Sequence, residues 1–89
     1  MQVGKVIGTV VSTKKDEKLT GLKFQMVGFL NQKGEPNGSM VVAVDSVGAG
    51  VGETVLVASG SSARLTPISE GKPVDAVIMA IVDEIDYTK

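Results

Sequence analysis

The chain has 89 residues, 43% of them apolar, and carries eight lysines, one arginine and ten acidic residues for a net charge of −1. It has no cysteine, which excludes disulfides and thiolate chemistry, and no histidine, which removes the commonest general base and transition-metal ligand. The balanced charge argues against nucleic acid as a partner, since such binders normally show a basic excess.

This length makes one domain, 1–89. With only Phe24, Phe29 and Tyr87 as aromatics, its core is aliphatic. A small domain rich in short aliphatic side chains has apolar surface to spare, and oligomerisation is the natural way to bury it.

The pattern predicts a first strand over Gln2–Thr13, with Gly4, Val6, Gly8 and Val10 on one face and Val3, Ile7 and Val11 on the other. Two glycines on one face predict a bent strand, as a closed barrel requires. Lys14–Lys18 reads as a charged loop. A second strand is predicted over Leu22–Leu30, with Leu22, Phe24, Met26 and Leu30 on one face and Lys23, Gln25, Val27 and Phe29 on the other. Asn31–Gly38 carries turn residues throughout and reads as a long hairpin loop. Met40–Asp45 and Thr54–Ala58 are the third and fourth strands. Ala63–Ile68 leaves room for one helical turn, and Glu70–Pro73 is another turn. In Val74–Ile85, β-branched residues at 74, 77, 78, 81, 82 and 85 favour a strand over a helix. The tail, Asp86–Lys89, is polar. Five strands with glycine-rich turns predict an all-β fold, a small five-stranded OB-like β-barrel with at most one short helix.

No basic start followed by an apolar block marks a signal peptide, and no uncharged apolar run approaches the length of a membrane helix. A cytoplasmic location and no membrane partner are expected.

The chain is organised around residues 41–64, where two apolar runs, Val41–Val44 and Val55–Ala58, flank a turn with Gly48, Gly50 and Gly52. Such a turn predicts positive φ or close backbone approach. Gly48-Ala49-Gly50-Val51-Gly52-Glu53 has neither the glycine spacing of a dinucleotide loop nor a helix after it, and no Gly-Lys-Ser/Thr is present. No nucleotide or other cofactor is expected there. Ser61 and Ser62 lack a base, so no catalytic residue and no enzyme activity is expected. Gly60–Ser62 beside Arg64 suits an anion or a subunit contact. Arg64 is the only guanidinium, and its fork favours a fixed hydrogen-bonding role. Asp45 and Asp75 flank apolar strands, where each caps a turn or meets Arg64. Asp83, Glu84 and Asp86 read as a solvated strand end, and no metal site is expected. An OB-like nucleic-acid-binding module is the alternative, but Phe24 and Phe29 fall on opposite faces of one strand and form no stacking platform.

Val41, Ala43, Val44 and Asp45, followed by Val47 through Gly50, then Gly52, Glu53, Val55, Leu56 and Val57, and then Gly60 through Arg64, form one ordered series. The opening (Gly4, Val6, Gly8, Val10, Val11, Thr13 and Lys14), Leu19 with Gly21–Lys23, Pro73–Ala76 and Ile81–Asp83 extend it over nearly the whole chain. This series resembles the EutN/CcmL family. The resemblance implies a structural shell protein of bacterial microcompartments, a homopentamer of small β-barrels that caps the vertices of a polyhedral shell tiled by hexameric shell proteins. It also implies a subunit interface or axial pore, with Asp45, Gly48, Ala49, Gly50, Gly60, Ser61, Ser62, Arg64 and Asp75 as candidates. The Asn31–Gly38 loop and the tail after Ile85 are where members vary, and these are candidates for facet-partner preference.

Overall fold

The computed structural model describes residues 1–12, 17–67, 69 and 74–86; the side chains of Ser61, Ser62 and Arg64 are outside that description. Five strands form a closed barrel: β1 Gln2–Val10, β2 Phe24–Leu30, β3 Pro36–Asp45, β4 Thr54–Ser59 and β5 Ala76–Ile81, in the order β1-β2-β3-β5-β4. All neighbours are antiparallel except β3 and β5, which run parallel through Val44↔Val77 and Asp45↔Ile78. The described helices are two 3-10 segments, Glu17–Leu19 and Gly60–Leu65.

The predicted strands are all present, with shifted ends. β1 stops at Val10, and Val11 is 87% exposed. β3 begins at Pro36 because the Asn31 side chain closes its own turn: its Oδ1 accepts the Lys33 and Glu35 N–H groups. The loop is therefore shorter than its turn residues suggest. β5 covers Ala76–Ile81 only, so Val74, Asp75 and 82–86 lie outside it. The 3-10 segment Gly60–Leu65 starts earlier than the predicted turn, and Glu17–Leu19 supplies a second one at the edge of the charged loop. The expectations for 14–16, 70–73 and 87–89 fall outside the described residues.

The interior is filled by small aliphatic residues, among them Val6, Val27, Ala43, Val55, Val57 and Ile78, each 1% exposed or less. Burying each Val or Ile side chain contributes roughly 1.5–3 kcal/mol. A second cluster, Leu22, Val44, Ala63, Val74 and Val77, packs apart from the interior, with Leu19 and Phe24 against it. It ties the segments on either side of the 3-10 turns to the barrel. Alternation alone misplaces the second half of β1. A bulge between Val6 and Gly8 changes parity: Val6 opposes Val27, and Thr9, rather than Val10, opposes the inward-facing Gln25. Gly4 allows β1 and β2 to close, since a Cβ there would lie 2.4 Å from Val27 Cγ1 and 2.8 Å from the Gly28 carbonyl oxygen.

Candidate functional site

The turn from β3 to β4 is built on two polar side chains. Asp45 ends β3 and is 6% exposed. Its Oδ1 accepts the N–H groups of Val47 at 3.0 Å and Gly48 at 2.9 Å, closing the chain on itself as aspartates do in turns. Gln25, 1% exposed, projects from β2 into the same place. Its Nε2 donates to the Ala49 carbonyl at 2.7 Å and, at 3.4 Å, to Asp45 Oδ2, while its Oε1 accepts the Thr9 hydroxyl at 2.8 Å. Ser46 donates its hydroxyl to the Ile78 carbonyl.

Burial pushes the Asp45 carboxyl up, but hydrogen bonds from the Val47, Ala49 and Gly48 backbone and the Gln25 side chain outweigh it and leave it below its ordinary value. Asp45 therefore stays ionised as a turn anchor.

The rest of the turn is held from its far side. Gly50 N–H donates to Glu53 Oε1 at 2.6 Å, and Glu53 N–H returns to the Gly50 carbonyl at 3.1 Å. Gly52 N–H donates to Val6 O at 2.8 Å and Val6 N–H donates to Glu53 O at 2.9 Å, so the turn docks on β1. Gly48 and Gly52 have φ of 75° and 93°. Gly50 is not among the positive-φ glycines, and a Cβ on it would meet Glu53 Oε1 at 3.3 Å. The turn's positive φ thus falls at Gly48 and Gly52.

The candidate interface or pore residues come together in two groups. Asp45, Gly48, Ala49 and Gly50 share the β3–β4 turn, with Ala49 packed in the barrel core at 0% exposure. Gly60 and Asp75 form the second group, joined by a hydrogen bond from Gly60 N–H to the Asp75 carbonyl at 2.8 Å. Since Ser59 pairs with Ala76 and Val55 with Ile81, the two groups lie at opposite ends of the β4–β5 pair. The backbone of Ser61, Ser62 and Arg64 runs in the Gly60–Leu65 segment beside Gly60. Of the two roles open to the aspartates, Asp45 caps a turn; Asp75 is exposed and contributes its backbone. Its neighbourhood is fixed by Ser69, fully buried, whose hydroxyl donates to the Ala63 carbonyl and shares a hydrogen bond with Thr66.

Sequence reasoning missed Gln25, Thr9 and Glu53. A signal existed for Gln25, a polar residue in register with Val27 and Phe29 on the face that proved to be the inner one. Asp83, Glu84 and Asp86 are exposed beyond the end of β5 rather than on it. Among the described residues no group of acidic side chains is arranged to hold a metal, and no helix is long and apolar enough to cross a membrane. Phe29 lies in the core and Phe24 against the second cluster, so the barrel surface offers bases no pair of aromatic rings. Over β2, where β1 and β3 flank the base of the hairpin, a cleft of about 310 Å³ opens between Lys5, Ile7, Leu30, Pro36 and Met40.

A closed barrel of this topology, with its glycine turn locked by Asp45, matches a known family along its length. The family described as ethanolamine utilisation protein EutN/carboxysome matches residues 1–83. The chain is 50% identical over 86 residues to the bacterial microcompartment shell vertex protein GrpN of Rhodospirillum rubrum, covering 97% of both chains. It is 49% identical over 86 residues to the carboxysome shell vertex protein CcmL of a Synechocystis species, covering 97% of this chain and 86% of the relative. The solved structure of GrpN from Rhodospirillum rubrum, described as a pentameric microcompartment shell protein, superposes with a TM-score of 0.89 at 49% identity, covering 99% of this chain and all of that one. The chain belongs to the EutN/CcmL family.

Proposed function

We propose that this protein is a structural shell protein of a bacterial microcompartment, a homopentamer that caps the vertices of the polyhedral shell. The observation that carries the reading is the match to shell vertex proteins at about half identity over nearly the entire chain. The physical reasoning runs the same way. Sheets of hexagonal tiles cannot close, and five-fold units supply the missing curvature. A five-membered ring is a heterologous interface that closes on itself. Its facet partners are hexameric shell proteins, and its place is the cytoplasm, in the shell. Its role is architectural rather than catalytic. A nucleic-acid-binding role is not favoured, because the two phenylalanines are engaged in packing.

The β3–β4 turn and the Gly60–Asp75 region are the proposed subunit-interface or pore-lining elements, with Arg64, Ser61 and Ser62 among their candidates. Deletion of the gene in the organism's own compartment tests the reading. Elongated or unclosed shells, restored to closed polyhedra by the wild-type gene, are expected in electron micrographs. Closed shells of normal shape in the deletion strain contradict it.

A further inference from the structure

We infer that the ring closes by seating the segment Val82–Asp86 of one copy in the cleft over β2 of the next. This rests on the pentamer proposed above and names the contact that forms it. The cleft, of about 310 Å³, has apolar walls that include Ile7, Leu30, Pro36 and Met40, and Lys5 is the one charged residue among those lining it. Ile7 and Met40 are 51% and 50% exposed, an unusual amount for side chains of this size side by side on a barrel wall. Such a surface selects a partner that is both apolar and acidic.

The chain carries a segment of that chemistry. Beyond β5, Asp83, Glu84 and Asp86 are exposed, while Val82 and Ile85 between them are half-buried. The segment leaves the barrel on another side from the cleft. Met40 opposes Gly28, Gly28 opposes Lys5, Lys5 opposes Thr54, and Val82 N–H donates to the Thr54 carbonyl. Four inter-strand steps of roughly 4.8 Å separate Met40 from Val82, an arc of about 19 Å. A chain therefore does not cover its Met40 with its own segment. A heterologous ring needs two unlike, complementary patches facing different ways on each subunit, and the cleft and the acidic segment are such a pair. The complementary charges lie on the same chain, which points to a second copy rather than a different protein as the occupant.

The absence of native cysteine allows a clean test. The double variant Met40→Cys/Ile85→Cys, oxidised at micromolar concentration, should give a covalent ladder reaching five chains on denaturing gels, because each disulfide joins neighbouring copies. Independently, Lys5→Glu should raise the concentration at which the ring dissociates at least tenfold, and adding Asp83→Lys/Glu84→Lys should recover most of that loss. A wild-type pentamer whose double-cysteine variant assembles without interchain crosslinks, or whose Lys5→Glu variant dissociates at the wild-type concentration, overturns the inference and leaves the ring standing. A wild-type chain that forms no ring overturns the pentamer itself, and this contact with it.

Discussion

The Gln25 side-chain amide donates to the Ala49 carbonyl at 2.7 Å, joining the middle of β2 to the glycine turn 24 residues away. The same amide reaches Asp45 and Thr9, so one buried side chain fixes β1, β2 and the β3–β4 turn together. Gln25→Leu keeps the volume and removes every one of these bonds, leaving the Ala49 carbonyl buried without its donor. A loss of about 1–3 kcal/mol is expected, read from urea unfolding at fixed protein concentration. An unchanged midpoint would mean that the network adds nothing to stability.

Asp45 makes the turn acid-sensitive. Its folded carboxyl titrates below the ordinary value of 3.8, so its stabilising contribution is fully present above that pH and is lost as pH falls through the lower folded value. Asp45→Asn should lower the melting temperature at neutral pH and flatten its fall in that acid range. Parallel melting curves for the two proteins between pH 7 and pH 3 would show that Asp45 is not the group responsible.

The turn glycines should not be equivalent. Gly48→Ala and Gly52→Ala each force a side chain into positive φ, at a cost of roughly 1–2 kcal/mol. Gly50→Ala requires only a shift of the Glu53 carboxylate by a few tenths of an ångström. Melting temperatures should therefore fall more for the first two variants than for the third. Gly50→Ala as the worst of the three would mean that Gly50 is closely packed against something outside the single chain.

Gly4→Ala should be more damaging than any of these. Its Cβ would meet Val27 in the barrel interior and the Gly28 backbone, neither of which is a flexible side-chain end. Overpacking of this kind costs typically 1–3 kcal/mol. Gly8→Ala has nothing within 4 Å to strike and serves as the control on the same strand. Equal stability of the two variants would show that β1 moves freely against β2.

The five strands were legible because alternation and turn residues both mark them. Val27 and Phe29 on one face of β2, and the apolar runs flanking the glycine turn, place them without any structure. The β1 bulge was not legible, since a two-residue period carries no sign of an inserted residue; Thr9 consequently appeared on the wrong side. The start of β3 was hidden because Pro36, Asn37 and Gly38 are turn residues standing in a strand whose first five positions are exposed. The role of Asp45 was open in the sequence, since a carboxylate before a glycine turn suits a cap or an ion pair equally. Two N–H groups within 3.0 Å make it a cap. The separation of the interface candidates into two groups depends on the β4–β5 register, which no local pattern encodes.

The native mass of the purified chain tests the central claim most directly. At micromolar concentration and moderate salt, mass spectrometry or light scattering should find a single species of five chains. A monodisperse monomer under those conditions contradicts the account.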